Sequence, residues 1–417
     1  MYEEIKLYFL ESDFIDFFNN QDGIEIVNAG VLYNPIQSIN IKRDSNLKII
    51  LETTSSLNSK TEAVTIPAGT VYVNQNEVIV KNKFSKRLFI LSGVTPYAST
   101  LSVTNKLRTE LSSLYSIKST IEPSIEESYL IEFVSNMDMN NFILSDKISI
   151  TKSTTETINI DKINFNNTAT SEMGSWGCIQ MIINDFTLYV CRYTNNEQNY
   201  QYILYDKIVS EEERRKIRDC ISFILGKPII YLGYVTYTKD SKIVSFELKS
   251  GYDYNGAFDL EALPPTILSS NGSNMIDSNT FNNLLISLYD SYETYHFQHL
   301  FWMYWHASCS HFYSASVQFG GCIESLQDSY LEKNSNSKII DSKEIWKDFR
   351  KKNISLIDEL CINDNAKELL KNKINNINIL PQQKQLEKLC ALLSIELTEL
   401  ESKTWKQSNI PAHGKKI

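Results

Sequence analysis

The sequence lacks the motifs that mark common nucleotide-dependent and hydrolytic enzymes. It has no Gly-x-x-x-x-Gly-Lys-Ser/Thr loop, no Gly-x-Gly-x-x-Gly turn and no Gly-x-Ser-x-Gly elbow. NTPase, dinucleotide-binding and nucleophile-elbow hydrolase functions therefore have no support. No two of the seven cysteines form a Cys-x-x-Cys pair, which argues against a zinc ribbon or a thioredoxin-like redox site. We expect the cysteines to be small buried hydrophobes.

The sequence also lacks any apolar run of about 18 residues, the length that a membrane-spanning helix needs. Residues 1–6 are acidic and no apolar region with a small-residue cleavage site follows them. We therefore expect no signal peptide. These absences predict a cytoplasmic protein without a membrane partner.

Negative charge is in excess, with Asp+Glu 50 against Lys+Arg 41 and a formal net charge of −9. That balance argues against a protein whose whole surface coats nucleic acid. From Lys333 onward, however, 16 Lys+Arg stand against 11 Asp+Glu. A basic tail on an acidic body allows a local polyanion site, although clustered lysines on helices more often form a solvated face.

The first half of the chain follows β periodicity. Short runs rich in β-branched residues alternate with polar turn residues, and glycine and proline are scarce between them. The clearest runs are residues 24–27, 38–41, 47–51, 71–73, 129–134 and 187–191. This spacing predicts a sandwich or barrel-like body. We assign residues 1–255 to a β-rich region, with a division into two subdomains near 120–170 left open.

One helix interrupts the β-rich region. Ser210 and Glu213 form a Ser-x-x-Glu capping box, which predicts a helix start. The apolar stripe that follows consists of Ile217, Cys220, Ile221, Ile224 and Leu225. Gly226 ends the helix. Strands resume at 229–237 and 243–248 and are expected to form a hairpin.

Residues 256–279 include two adjacent prolines and a polar run, and predict a linker. Beyond it the apolar period changes to 3.6 residues. The pattern predicts a long aromatic helix over about 280–310, a second helix to about 330, and more helix over 341–374. A last helix opens at Pro381, with the stripe Leu386, Leu389, Leu393, Leu397 and Leu400. Residues 280–417 are thus expected to form an antiparallel bundle, which makes the chain an α+β protein.

His413 is the candidate for acid–base chemistry. It is the only histidine outside residues 296–311, and it lies beyond the last apolar stripe, next to Gly414. A histidine in such a polar setting can transfer protons near neutral pH. Asn409 precedes it by four residues and shares its face on a helix. The plain alternative is an exposed residue on a fraying terminus.

The pattern Asn409-x-x-x-His413-Gly414, closing the last helix of an all-α domain, resembles the terminal motif of the HEPN superfamily. More narrowly, it is similar to the ApeA-like HEPN proteins of bacterial anti-phage defence. The aromatic helix that ends at Trp305, followed by residues 319–326 with Glu324 in an apolar context, resembles that family's paired helices. The β-rich first half is similar to the family's N-terminal region.

The resemblance implies a metal-independent endoribonuclease that needs no cofactor, cleaves RNA (tRNA is one candidate) and acts in abortive infection. In the family an arginine and a histidine line a cleft where two HEPN domains meet, which implies a homodimer or a higher homo-oligomer. His413 would transfer protons and Asn409 would orient or contact the phosphate. Glu324 would either take part in the cleft or pair with a polar neighbour inside the bundle. The β-rich region would sense a phage-derived trigger.

The chain departs from this family at the arginine of the motif. Ser408 stands where the arginine is expected, no arginine follows Arg350, and Lys406 is the nearby cation at a permitted spacing. A lysine does not reproduce the guanidinium fork. Three explanations stay open. Lys406 substitutes for the arginine, the nuclease is weak or inactive, or Ser408 is an inactivating change.

A second cluster comprises His296, His299, His306, Cys309 and His311. A zinc site is conceivable there. The cluster lacks the His pair at i, i+4 with a carboxylate that metal enzymes favour, and aromatic residues surround it. We expect packed, hydrogen-bonded histidines in the core, without a metal.

Two functions of other classes compete with the nuclease. One is a non-catalytic HEPN-like interaction protein whose tail serves dimerisation. The other is a β-domain that binds a small ligand or carbohydrate and is carried on a helical oligomerisation module.

Overall fold

The computed structural model describes residues 14–15, 18–19, 24–57, 77–83, 87–102, 104–120, 126–137, 139, 151–160, 163–172, 175–195, 198–240, 242–251, 276–334 and 338–412. Within these, the side chains of 151–160, 163–172, 175–177, 193–195, 198–200, 312–313 and 406–412 are not described. The chain divides into two units, Met1–Ser287 and Leu288–Ile417. The first is β-rich and the second is helical, so the predicted fold class is confirmed.

The described strands of the first unit are, in chain order, β1 (Ile24–Asn28), β2 (Ile36–Arg43), β3 (Ile49–Ser56), β4 (Val78–Asn82), β5 (Leu88–Ser92), β6 (Thr95–Ser102), β7 (Leu107–Leu114), β8 (Ser116–Thr120), β9 (Tyr129–Ser135), β10 (Thr151–Ile160), β11 (Ile163–Glu172), β12 (Ser175–Ile183), β13 (Phe186–Asn195), β14 (Gln198–Tyr205), β15 (Ile230–Tyr237) and β16 (Ile243–Lys249). One sheet has the order β1-β4-β5-β8-β16-β15-β9-β14-β13-β12. A second has the order β2-β3-β7-β6, and β10 and β11 form a separate hairpin.

The two larger sheets share one apolar core. Side chains alternate between the faces of a strand, so Ile49 and Leu51 of β3 are buried together with Phe89 and Leu91 of β5. The ring of Phe18 meets that of Phe89 edge-on, with centroids 5.2 Å apart. Burial of such apolar surface is the main stabilising contribution to a fold of this kind. The sandwich-like body predicted from the alternating runs is therefore present.

Helix α1 (Glu211–Leu225) forms as its sequence predicts. The Ser210 hydroxyl accepts a hydrogen bond from the Glu213 amide at 3.2 Å, and Gly226 ends the helix in the left-handed conformation, with φ 73°. Its predicted apolar stripe is buried. The hairpin β15–β16 is also confirmed. The predicted strand at 71–73 lies outside the described residues, as does most of the predicted linker.

The described helices of the C-terminal region are α2 (Ser278–Ser291), α3 (Phe297–Ser308), α4 (Phe312–Asn334), α5 (Lys343–Glu359), α6 (Asp364–Asn376), α7 (Gln382–Leu392) and α8 (Glu399–Ala412). The boundary between the units falls within α2. Helix α4 contacts α3, α7 and α8, and α5 contacts α6. Among the described residues, the helices are all too short or too polar to cross a membrane.

The single long helix predicted over 280–310 is wrong. Helix α2 ends at Ser291, and a turn separates it from α3. His296 lies in this turn with φ 53°, a left-handed conformation that breaks the helical path. The aromatic spacing continues across the turn, and for this reason periodicity alone missed the break.

The single last helix predicted after Pro381 is also wrong. Helix α7 ends at Leu392, Ser394 takes a left-handed φ of 55°, and α8 starts at Glu399. A second capping box begins α8: the Glu401 carboxylate accepts from the Thr398 amide at 2.7 Å, and the Thr398 hydroxyl accepts from the Glu401 amide at 3.2 Å. The left-handed turn at Ser394 and the capping box of α8 thus divide the predicted helix into two, although the leucine spacing continues across them.

Candidate functional site in the helical unit

Helix α8 carries the first part of the predicted motif. Lys406, Ser408 and Asn409 belong to it, although their side chains lie outside the described part of the chain. His413 lies outside the described residues altogether. Trp405, directly before Lys406, is buried in a small core with residues of α7. Helix α8 is therefore held in place by the packing of Trp405 as well as by the capping box at its start.

Helix α4 carries Glu324, the predicted cleft glutamate, which is half-buried. One turn later, Gln327 is buried and its amide donates to the Gln385 side chain at 3.0 Å and to the Gln382 carbonyl at 3.3 Å. These bonds lock α4 to α7, and α4 also packs against α8. The structure therefore brings the helix of Glu324 and the helix of the motif together in one unit.

The histidine cluster does not form the predicted packed core. His296 and His299 are exposed, and His306 is half-buried. The turn before α3 places His296 off the helix. The side of α3 that carries His299 lies at the surface. Among the described residues, no group of three or more histidine, cysteine, aspartate or glutamate side chains could hold a metal ion.

The cysteines mostly behave as predicted. Cys178, Cys191, Cys220 and Cys390 are buried, whereas Cys361 is exposed, so the prediction is wrong for that residue. Burial raises the pKa of Cys322 on α4 to about 11. A thiol with that pKa is protonated at neutral pH and is a poor nucleophile.

Comparison of the chain with protein-family models, curated proteins and solved structures finds no match. The functional assignment therefore depends on the chain's own residues and on the arrangement of its helices.

A buried charge network lies in the first unit, on the face of the ten-stranded sheet that carries α1. Glu132 of β9 is fully buried. Its carboxylate accepts from the Tyr205 hydroxyl at 2.9 Å and pairs closely with the Arg218 guanidinium. The Arg214 guanidinium lies 3.4 Å away. Glu211 completes the network by accepting from Arg218 at 2.9 Å and from Arg214 at 2.6 Å.

A β-bulge in β15 shapes the surface beneath the two arginines. The pairing of β15 with β9 shifts between Tyr231 and Gly233, so that Tyr231 and Tyr234, three residues apart, both face α1. Arg218 stacks 4.2 Å from the centroid of Tyr231, and Arg214 stacks 4.7 Å from that of Tyr234. Gly233 has φ 139°, and a Cβ there would lie 2.1 Å from the Glu247 carbonyl oxygen, so the bulge requires glycine.

The network fastens α1 to the sheet. Burial raises the pKa of Glu132, while Arg218 and Arg214 act in the opposite direction. Both carboxylate oxygens of Glu132 are engaged by protein groups, which leaves the residue poorly placed to act as a general base. This network was not predicted from the sequence. The local features that belong to the network are a glutamate inside an apolar strand and two arginines at i, i+4 on one helix.

Proposed function

We propose that the chain is a metal-independent HEPN-type endoribonuclease of bacterial anti-phage defence, acting in abortive infection. The observation that supports this is the packing of α8, which carries Asn409, against α4, which carries Glu324, since the resemblance implies that Asn409 contacts the phosphate and allows Glu324 a place in the same cleft. In this proposal the helical unit cuts RNA, with tRNA as the first candidate substrate. The β-rich unit senses a phage-derived trigger.

The proposed chemistry is an internal displacement at one phosphate of RNA. The ribose 2′-oxygen forms a bond to phosphorus as the bond from phosphorus to the 5′-oxygen breaks. His413 takes part in transferring the proton that leaves the 2′-hydroxyl and the proton that the 5′-oxygen gains. The products are a 2′,3′-cyclic phosphate and a 5′-hydroxyl, so no metal or cofactor is required.

Asn409 and Lys406 are proposed to hold the phosphate whose oxygens gain charge in the transition state. A fixed donor at such a position contributes strongly to rate. Ser408 stands where the family has an arginine, and a hydroxyl cannot replace a guanidinium with its two parallel donors. The proposal therefore includes slow RNA cleavage by the chain with serine at position 408.

The proposal predicts that His413→Ala abolishes RNA cleavage. The full chain would be incubated with total tRNA in excess EDTA, and fragments would be followed on denaturing gels. Loss of the proton-transfer group is expected to lower the rate about 10²- to 10⁴-fold. His296→Ala is the matched control, because it removes an exposed imidazole at the start of α3. Equal cleavage by native and His413→Ala chains would contradict the proposal.

A second candidate is a non-catalytic interaction module. Apolar side chains from the last residue of α7 to the first turn of α8 are exposed, namely Leu392, Leu393, Ile395, Leu397 and Leu400, the last at 74%. An apolar patch of this kind is typical of a protein–protein interface. This candidate is favoured if neither His413→Ala nor Ser408→Arg alters cleavage while the chain sediments as a homodimer.

A further inference from the structure

Helices α5 and α6 form a hairpin that buries little apolar surface of its own. Asn378 closes the base of the hairpin, because its side chain accepts from the Ile340 amide at 2.6 Å and donates to the Ile340 carbonyl at 3.1 Å. Between residues 340 and 378, all of which the structure describes, Ile357 is the only buried apolar side chain. The main contact of each helix is with the other. Because helices of this length owe most of their stability to packing, we expect the hairpin to have a further partner.

Apolar side chains are exposed along both helices of the hairpin. Ile345, Phe349 and Leu356 follow one another on α5 at steps of four and seven residues, which aligns them on one face. Ile345 is 62% exposed and Leu356 60%, as is Leu369 on α6. The rings of Trp346 and Phe349 stack with centroids 5.6 Å apart. Aromatic anchors of this kind are typical of protein–protein interfaces.

The exposed apolar area of the hairpin is close to what a dimer interface needs. Ten apolar side chains of residues 338–379 are 38–62% exposed, which leaves on the order of 500 Å² of apolar surface. A stable interface of ordinary size buries about 800 Å² on each partner, and roughly 450 Å² of that is apolar. A second hairpin of the same kind is therefore large enough to cover this surface.

Opposite charges occupy the two ends of the hairpin. Residues 343–352, towards the base, have five Lys+Arg against two Asp+Glu, whereas residues 353–368, around the turn between the helices, have one Lys against four Asp+Glu. Among the described residues, no ion pair within the chain uses Lys343, Lys347 or Glu359. A hairpin that is basic at one end and acidic at the other is complementary to an antiparallel copy of itself.

We infer that the hairpin of α5 and α6 is an interface with a second copy of this chain, related by a two-fold axis that sets the two hairpins antiparallel. Each contact in such an interface occurs twice. The basic segment 343–352 of each copy faces the acidic segment 353–368 of the other, and the apolar stripes meet between them. Two hairpins joined in this way form a four-helix bundle. The interface lies on helices other than α8, and the inference does not depend on RNA cleavage.

The apolar part of the interface is tested by sedimentation of the full chain over a range of concentrations, which gives the Kd of the dimer. Ile345→Gln combined with Leu356→Gln is expected to raise this Kd about 10²- to 10⁴-fold, because each substitution removes apolar burial from both copies. Both side chains are exposed within one chain, so the circular dichroism and Tm of the monomer should be unchanged. Leu101→Gln, at a 58% exposed position of β6, is the matched control and should dimerise as the native chain does.

A charge exchange tests the antiparallel arrangement. One variant carries Lys343→Glu and Lys347→Glu, and the other carries Glu359→Lys and Glu368→Lys. Each variant alone places like charges against like charges, which is expected to raise the Kd about 10- to 10³-fold at low salt. An equimolar mixture of the two variants restores opposite charges at both ends and is expected to form a heterodimer with a Kd near that of the native dimer. A parallel pair of hairpins would show no such rescue.

The inference is overturned if the native chain stays monomeric up to about 10⁻⁴ M, or if the mixed charge variants do not associate. It is also overturned if Leu400→Gln dissociates the dimer while Ile345→Gln with Leu356→Gln does not, since the copies would then meet at the apolar patch of residues 392–400. A lower Tm of the monomer in the glutamine variant would place the partner surface within the same chain. Weaker binding of a labelled oligoribonucleotide by the Lys343→Glu, Lys347→Glu variant, with sedimentation unchanged, would assign the hairpin to RNA instead.

Discussion

Ser408→Arg is expected to raise the rate of RNA cleavage by about 10²- to 10³-fold, the effect typical of one fixed donor at a developing negative charge. A guanidinium offers two parallel N–H donors in a rigid plane, which matches two phosphate oxygens. Position 408 lies on α8, five residues before His413, so the substitution restores the spacing of the family motif. The measurement is the initial rate of tRNA fragmentation in EDTA.

Two variants control for charge on the same helix. Ser408→Lys adds the charge without the planar fork and is expected to restore much less activity. Thr404→Arg adds an arginine one turn earlier, at an exposed position, and is expected to leave the rate unchanged. Adding His413→Ala to Ser408→Arg should remove the gain. If Thr404→Arg accelerates cleavage as much as Ser408→Arg does, charge alone explains the effect and the motif has no role.

Glu132→Gln is expected to destabilise the first unit by about 3–5 kcal/mol, the usual cost of removing one partner from a buried ion pair. The substitution keeps the shape of the side chain but leaves Arg218, which is itself buried, without its closest counter-charge. Glu211 remains as a partner, but its side chain is 49% exposed and is screened by solvent. The loss should therefore appear first at α1.

Hydrogen exchange followed by mass spectrometry resolves this effect, because it reports on α1 separately from the helical unit. The α1 amides are expected to exchange faster in Glu132→Gln. Tyr205→Phe removes a single donor to the Glu132 carboxylate and should cost about 1.5–3 kcal/mol, the range for a hydrogen bond to a charged group. Glu212→Gln on the exposed side of α1 is the control and should change stability by less than about 0.5 kcal/mol. Equal protection in Glu132→Gln and in the native chain would show that the network does not hold α1.

Elements with complete local signals could be predicted from the sequence. Helix α1 has a capping box at its start, an apolar stripe along one side and Gly226 at its end, and all three agree with the structure. The hairpin β15–β16 was equally accessible because its two strands are adjacent in the chain. When propensity, pattern and capping agree, little tertiary information is needed.

Two helix breaks could not be obtained from apolar spacing. The leucine stripe continues through Ser394, although this residue turns the chain out of α7. The capping box of Thr398 and Glu401 was present in the sequence and would have placed the start of α8. At His296 no side-chain cap marks the start of α3, and the turn lies beside ring contacts of Tyr292 and Tyr295 with Phe297.

Contacts between residues that are far apart in the sequence could not be predicted. Glu132 and Arg218 are separated by 86 positions, and neither residue's local pattern indicates the other. The order of the ten-stranded sheet likewise joins β1 to β4 and β8 to β16, which periodicity does not encode. The motif at residues 409–414 could be recognised because its residues are close in sequence, whereas the packing of α8 against α4 required the structure.

The end groups of the RNA fragments test the central claim most directly. Native and Ser408→Arg chains would be incubated with total tRNA in EDTA, and the new ends would be identified by mass spectrometry and by their response to phosphatase and kinase. Attack by the 2′-hydroxyl predicts 2′,3′-cyclic phosphate and 5′-hydroxyl ends that form without metal and disappear with His413→Ala. Fragments with 3′-hydroxyl and 5′-phosphate ends, or no fragments from either chain, would contradict the nuclease proposed for the helical unit.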